Sequence, residues 1–425
     1  MRILFFSDNF PPETNAAATR VYERACYWAQ WGHEVTVITC APNFPQGKLF
    51  EGYLNRWHQT EEMSGIRVVR VKTFITANAG VLLRTLDFLS FLVTGFWAAL
   101  FEKKPDVVVA TSPQFFAAVA GWATGAVRRV PFVFELGDLW PESIAAVGAM
   151  RPSLLLRWVE KFELFLYRRS AAVAALTHAF KDNLESRGID PHKIAIVING
   201  VDTWRYKPRQ RDYALAKQWG VENDFVIGYV GTHGMAHGLQ NVLETAARLK
   251  DVKNLRILLV GAGAERKALI DEAKRLDLKN VLFIPPQPKE EMPRIWSLCN
   301  IALVHLRDHP AFSSVIPSKM FEAMAMGLPI VLAVPDGEAR QILEADGAGL
   351  WVPPEDPEAL ALAMKTLCND TAQYETFAAA SLASAPHHSR EKQAQDMINV
   401  FERVRTGQSQ GRNSGRIQSQ KQDSS

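Results

Sequence analysis

The sequence predicts an α/β protein built of two doubly wound parallel sheets facing across a cleft. Three observations carry this reading. Short buried apolar runs alternate with helix-length stretches through most of the chain, and a polar break near residue 203 is followed by a second round of the same alternation. The length of 425 residues suits two domains, at about 150 residues each.

Arg2-Ile3-Leu4-Phe5-Phe6-Ser7 reads as the first strand, residues 8–15 as a turn, and 16–31 as a helix that Gly32 ends. Glu34-Val35-Thr36-Val37-Ile38-Thr39 is the next strand, which implies parallel pairing with a right-handed crossover. Val107-Val108-Val109-Ala110, Phe132-Val133-Phe134-Glu135-Leu136 and Val173-Ala174-Ala175-Leu176 continue the pattern, and Ile196-Val197-Ile198 with Asn199-Gly200-Val201-Asp202 closes the first half. The polar run 203–211 reads as a linker. Strands at 225–230, 255–260, 281–284, 301–305 and 330–334 build the second half. The domains expected are therefore 1–202 and 203–389. A helix over 390–404 packs back on the first domain, and a tail over 405–425, almost free of apolar residues, stays disordered.

Hydrophobic content of 48% and charge of 22% describe a globular protein. A net charge of +3 is too mild to argue for nucleic acid, although weak attraction to anionic lipid is compatible with it. The four cysteines are scattered and form no C-x-x-C pair, which argues against a zinc site or a disulfide scaffold and fits a reducing compartment. The first apolar run, Ile3-Leu4-Phe5-Phe6, is too short for a secretion signal. The expected location is the cytoplasm, either free or on the inner face of the plasma membrane. No D-x-D pair and no H-E-x-x-H occurs, so neither a metal nor a cofactor is expected.

The most informative stretch runs from Ser313 to Leu332 and reads as loop, short helix, glycine stop and buried strand. Pro317 suits the start of the helix, and Gly327 with Pro329 ends it. Lys319 and Glu322 are three apart and project from one side of the first turns. A cation, a carboxylate and the free N–H groups around Ser318 suit a nucleotide, with phosphate at Lys319 and ribose at Glu322. An ordinary i,i+3 ion pair explains the same spacing.

Other strand-to-helix junctions offer further candidates. Gly231-Thr232-His233-Gly234-Met235-Ala236-His237-Gly238 can turn several amides toward a diphosphate, with His233 or His237 adding a hydrogen bond; a flexible turn is the plain alternative. Residues 8–20 form the first such junction without glycine. There Asn15 tolerates a left-handed backbone, and Ala16, Ala17 and Ala18 let a ligand approach before Arg20. Gly261-Ala262-Gly263 lacks the third glycine of a dinucleotide fingerprint, since Arg266 stands there, and reads as tight packing. Asp138-Leu139-Trp140-Pro141-Glu142 gathers carboxylates beside a tryptophan. Asp138 or Glu142 suits a base toward an acceptor hydroxyl, or else a helix cap.

Two segments bear on membranes. Residues 88–101 are apolar on nearly every side yet shorter than the roughly 18–20 residues of a span, so they read as a buried helix or an interfacial anchor. Residues 153–169 mix Trp158, Phe162 and Phe165 with Arg157, Lys161, Arg168 and Arg169, which fits a membrane surface or an amphipathic core helix.

Taken in order, Phe10-Pro11-Pro12-Glu13, Asp138-Leu139-Trp140-Pro141-Glu142-Ser143, Asn199-Gly200-Val201-Asp202, residues 231–238 and Ile316-Pro317-Ser318-Lys319-Met320-Phe321-Glu322 resemble family 4 glycosyltransferases of GT-B architecture. Within that family the likeness is to bacterial N-acetyl-L-fucosamine transferases of O-antigen and capsule synthesis, over residues 1–404. The resemblance implies two Rossmann-like domains, a UDP-sugar donor on the second and a lipid-linked saccharide acceptor on the first. It also implies that Glu322 is the second glutamate of the family's E-x7-E motif. Ser314 stands where the first is expected, and Thr232 and His237 stand where the family carries Arg and Lys. Lys319 is then the main cation for the diphosphate. A UDP-sugar epimerase of the same shape and a non-catalytic nucleotide-sugar-binding protein remain the alternative readings.

Overall fold

The computed structural model describes residues 1–44, 46–76, 81–112, 114–139 and 154–407. The chain divides into two compact units, Met1–Ile198 with the segment from Gln393 on, and Asn199–Lys392.

In the first unit the strands are β1 (Arg2–Phe6), β2 (Glu34–Cys40), β3 (His58–Met63), β4 (Ile66–Val71), β5 (Val107–Thr111), β6 (Phe132–Leu136), β7 (Ala172–Ala175) and β8 (Ile194–Ile196). Its described helices are α1 (Ala16–Gln30), α2 (Val81–Phe101), α3 (Phe115–Arg128), α4 (Leu154–Arg169) and α5 (His178–Ser186). The sheet order is β3-β4-β2-β1-β5-β6-β7-β8, parallel except for the edge strand β3. Strands β1, β5 and β6 read as continuous apolar runs because both faces are covered. Phe6, Phe91, Phe132 and Tyr167 fill one side of the sheet, and Phe5, Trp28 and Val109 fill the other.

Two features differ from the sequence expectation. β3 and β4 form a hairpin turned at Ser64-Gly65, both with positive φ, and β3 is polar at every position but Met63, too exposed to register as a buried run. Helix α2 starts at Val81, so it has 21 residues where the apolar run alone suggested fewer. At 1.5 Å per residue it is about 31 Å long, and Leu83–Phe101 is apolar and long enough to cross a membrane by those measures alone. Its inner face nevertheless packs on the sheet through Phe91, Ala98 and Ala99, with Gly95 against Ile38 and Phe6.

The second unit contains β9 (Phe225–Val230), β10 (Leu255–Val260), β11 (Val281–Ile284), β12 (Ile301–His305), β13 (Ile330–Ala333) and β14 (Gly349–Val352). Its helices are α6 (Tyr213–Trp219), α7 (Leu239–Arg248), α8 (Arg266–Arg275), α9 (Met292–Trp296), α10 (Ser318–Ala325), α11 (Glu338–Asp346), α12 (Pro357–Asn369) and α13 (Thr371–Ser384). All six strands are parallel, in the order β11-β10-β9-β12-β13-β14. The last helix, α14 (Arg390–Thr406), packs against α1: Trp28 Nε1 donates to the Ala394 carbonyl at 3.0 Å, and the Trp28 and Phe401 rings meet edge-on at 5.4 Å.

Candidate active site

An open parallel sheet takes its ligand beyond the C-terminal strand ends, where the strand order reverses. In the second unit that point lies between β9 and β12, which are neighbours in the sheet. β9 delivers Tyr229 and the loop from Gly231, while β12 delivers His305 and the loop leading into α10. Helix α10 starts at Ser318, exposed, after Pro317, and Gly327 follows its end with φ +71.

Lys319 is the centre of this arrangement. Its Nζ is buried, has no hydrogen-bond partner among the described residues, and sits 3.8 Å from the centre of the Tyr229 ring. The tyrosine is fixed in turn, its hydroxyl donating to the Thr232 carbonyl at 2.7 Å. Gly231 makes the approach feasible: a Cβ there would stand 2.8 Å from Nζ, and its φ of +154 disfavours a side chain as well. Burial pulls the ammonium down from 10.5 to about 7, against the pull of Glu322 in the other direction. Glu322 does not act as its ion-pair partner. That carboxylate accepts from Trp296 Nε1 at 3.2 Å and from the Tyr206 hydroxyl, and burial raises its pKa. The i,i+3 ion pair is therefore not what the spacing serves. A buried ammonium with only an aromatic face beneath it is poised for an anion.

The glycine loop surrounds this ammonium. His233 is wholly buried and neither ring nitrogen has a hydrogen-bond partner among the described residues, although the nearby Val260 backbone favours its protonated form. Burial, with Arg266 and Lys319 adding to it, holds His233 at about 4. His237 is likewise held at about 4 by burial and Lys319, and its Nδ1 has no described partner. Both rings are thus neutral near pH 7. Thr232 is exposed, and Gly234 opens the short 3-10 turn Met235–His237. Helices α7 and α10 both begin without a side-chain cap, leaving first-turn N–H groups for a ligand.

The Gly261-Ala262-Gly263 segment packs tightly, though its neighbour is the glycine loop itself. His233 N–H donates to the Ala262 carbonyl at 2.8 Å, and Glu265 N–H to the His233 carbonyl at 3.0 Å. A Cβ at Gly263 would lie 2.2 Å from that carbonyl oxygen, and one at Gly261 1.9 Å from the Gly231 oxygen. The segment is a brace for residues 231–233.

In the first unit the corresponding edge carries different chemistry. Asn15 has φ −67 rather than a left-handed backbone, and its Oδ1 caps α1 by accepting from Ala18 N–H at 2.9 Å. Ala16 is exposed and Ala17 half-buried at the start of that helix. Arg20 is buried: Nε stands 3.1 Å from Glu135 Oε1 and Nη2 donates to Thr111 Oγ1 at 3.1 Å. Arg24 Nη2 bonds the other carboxylate oxygen at 2.7 Å, so Glu135 matches two helix arginines across the end of β6. Asp138 is half-buried two residues past β6. Ser112 Oγ accepts from Gly137 N–H at 2.8 Å beside it. Glu142 lies outside the described residues. Glu13 ties its loop to the β2 side by accepting from the Asn43 and Phe44 amides, both at 2.8 Å.

Asn199-Gly200-Val201-Asp202 proves to be a brace within the second unit. Arg390 Nη1 donates to Asn199 Oδ1 at 2.5 Å, Arg390 N–H donates to the Val201 carbonyl at 2.7 Å, and a Cβ at Gly200 would lie 2.5 Å from the Ser389 oxygen. Among the described residues no three His, Cys, Asp or Glu side chains are grouped to hold a metal.

Sequence reasoning missed Tyr229, Trp296, Tyr206 and His305. Each looks like core or linker in one dimension. The available signal was a polar residue, His305, closing an otherwise apolar strand.

Two doubly wound sheets, with an unpaired lysine, a glycine loop and an uncapped helix start at the reversal point of the second, define an α/β protein whose second sheet can take an anionic ligand at its strand ends. The models of the glycosyl transferase 4-like domain and of glycosyl transferases group 1 match residues 15–200 and 214–382, and the chain belongs to this glycosyltransferase family. WcaI of Escherichia coli K12, described as a glycosyl transferase of colanic acid biosynthesis, is 26% identical over 370 residues, 85% of this chain and 90% of its own. WbjE of Pseudomonas aeruginosa, described as a glycosyltransferase, is 24% identical over 246 residues, 56% of this chain and 60% of its own. The fold is GT-B: the Anabaena HepE structure with UDP and glucose superposes with a TM-score of 0.71 at 21% identity, covering 94% of this chain and 99% of that one.

Proposed function

We propose that this glycosyltransferase moves a sugar from a UDP-sugar to a hydroxyl of a lipid-linked saccharide during cell-surface polysaccharide synthesis, with N-acetylated amino sugars the first donors to try. The observation that carries the reading is the buried, unpaired Lys319 ammonium over Tyr229, enclosed by the loop 231–238. HepE was solved with UDP, and WcaI is described as acting in colanic acid biosynthesis, which supports both nucleotide and pathway class.

As the glycosidic bond breaks, negative charge grows on the departing diphosphate, and donors aimed there lower the barrier most. Lys319, the amides of Thr232 and Gly234, and the α10 start at Ser318 serve that role, with His233 and His237 as neutral hydrogen-bonding groups. Glu322, held by Trp296 and Tyr206, is oriented for ribose hydroxyls. On the first unit, Asp138 and Glu142 serve the acceptor, as base or sugar ligand. The helix start at Asn15, Ala16 and Ala17 lines the same side. Arg20 acts from beneath it through Glu135.

Placement at the inner membrane face is supported by α2 and α4. Leu83, Leu86, Val93, Trp97 and Phe101 make an exposed apolar stripe on α2, with Trp97 57% and Phe101 82% exposed. On α4, Trp158 is 70% exposed and lies under Lys161 Nζ at 5.6 Å. Aromatic rings beside cations suit an anionic lipid surface. Phe91, by contrast, is core, so replacing it tests folding and not membrane contact.

The deciding experiment is a panel of UDP-sugars against a polyprenyl-diphosphate N-acetylglucosamine acceptor, with product mass read out. Transfer from one UDP-sugar, lost in Lys319→Met, is the expected outcome. Transfer only from a GDP- or ADP-sugar run beside the panel, or turnover of donor without acceptor, refutes it.

A further inference from the structure

His305 closes β12 at the ligand-binding edge of the second sheet and is wholly buried. Its Nδ1 lies 2.7 Å from the His237 carbonyl oxygen and its Nε2 2.9 Å from Asn241 Nδ2. A carbonyl oxygen only accepts, so Nδ1 carries the proton, and Nε2 takes the amide hydrogen of Asn241. Burial holds this ring at about 4, and Lys319 pushes the same way, so the imidazole keeps a single proton and a single tautomer near pH 7.

The anchored points belong to three parts of the site. His237 ends the glycine loop, Asn241 lies in the first turn of α7, and β12 leads to the segment before Lys319. Gly238 stands among them with φ +55, and a Cβ there would come 3.4 Å from His305 Cε1. In a trans peptide the N–H points opposite to the C=O. Holding the His237 carbonyl against the ring therefore aims the Gly238 N–H away from it, at the point where uncapped α7 begins.

We propose that His305 is a positioning residue for the donor diphosphate, fixing the Gly238 amide and the first turn of α7 toward the anion that Lys319 meets. This rests on the reading of the second unit as a nucleotide-diphosphate site. His305 acts through the loop and donates nothing to the ligand itself. Asn at this position keeps a donor near the place of Nδ1, Gln keeps a group near the place of Nε2, and Phe fills the space with neither.

The test is UDP affinity by titration calorimetry in the full chain, beside melting temperature, for wild type, His305→Asn, His305→Gln and His305→Phe. Affinity is expected to fall by about tenfold for each buried hydrogen bond lost, so Asn and Gln, which keep one anchor each, lie between wild type and Phe. A merely structural role would make affinity follow melting temperature, with Phe, the apolar filler, ahead of Asn. Nitrogen NMR of the histidine rings is expected to show His305 protonated at Nδ1 only. Asn241→Leu keeps the ring and removes its second anchor, so it carries the test if the His305 variants fail to fold; a severalfold loss of affinity supports positioning. Wild-type binding that is unchanged in these variants, or an Nε2–H tautomer, overturns the inference alone. A wild-type chain that does not bind UDP overturns the donor-site reading and this inference with it.

Discussion

Because the Lys319 ammonium is buried with no carboxylate paired to it, diphosphate binding should draw a proton into the site. In the free protein the ammonium titrates at about 7, where an exposed lysine sits near 10.5. A bound diphosphate restores the charged form and moves the value back up. Above about pH 7 binding therefore requires protonation first, and affinity should fall up to about tenfold per pH unit, since one unit is about 1.4 kcal/mol. At pH 8 about nine-tenths of the free lysine is neutral, so binding should take up close to one proton, against about one-tenth of a proton at pH 6. The terminal phosphate of UDP has its own ionisation near about pH 6, which a UDP-sugar lacks and which is complete above pH 7.5. The assay is calorimetry at pH 8 in two buffers of different ionisation enthalpy, with affinity followed from pH 7.5 to 9. His233, His237 and His305 are held near 4 and contribute nothing in this window. Absence of proton uptake at pH 8, or the same pH dependence in Lys319→Met, refutes the reasoning.

Three further outcomes are expected. The folded-state pKa of Lys319 lies below its unfolded value, so its stability contribution is complete above about pH 10.5 and is lost as pH falls to about 7; Lys319→Met should then raise the melting temperature at pH 6 and much less at pH 10, with a gain on the order of a few kcal/mol in chemical denaturation. Gly263→Ala should cost about 1–3 kcal/mol or more and weaken UDP binding, because the new Cβ meets the His233 carbonyl at 2.2 Å; Gly234→Ala, whose nearest neighbour is at 3.5 Å, is the control with smaller loss. Glu135→Ala leaves Arg20 and Arg24 buried without their carboxylate and should destabilise the first unit by about 3–5 kcal/mol in urea titration; a loss under 1 kcal/mol shows that other groups carry the charge.

The doubly wound halves, the helix between Pro317 and Gly327, and the glycine loop were legible because each depends on local pattern. Apolar runs of strand length, a proline start and a glycine stop are written in consecutive residues. β3 escaped notice for the opposite reason: an edge strand pairs through its backbone, so side chains that are nearly all polar leave no apolar run to read. Helix α2 came out longer than its most apolar stretch because Arg84 and Asp87 point from a helix that begins before them.

What the sequence could not decide is which side chains meet. Lys319 and Glu322 stand three apart, and spacing alone left an ion pair and a nucleotide site equally open. Tertiary structure decides between them by supplying Trp296 and Tyr206 to the carboxylate and the Tyr229 face to the ammonium. Those partners are drawn from β9, α9 and the segment before α6, up to 116 positions away in sequence, the difference between Glu322 and Tyr206. The same holds for Arg20, whose charge Glu135 takes up only because β6 ends beside α1. Local chemistry sets the elements; the strand order sets which of their ends converge, and a buried charge takes its meaning from that convergence.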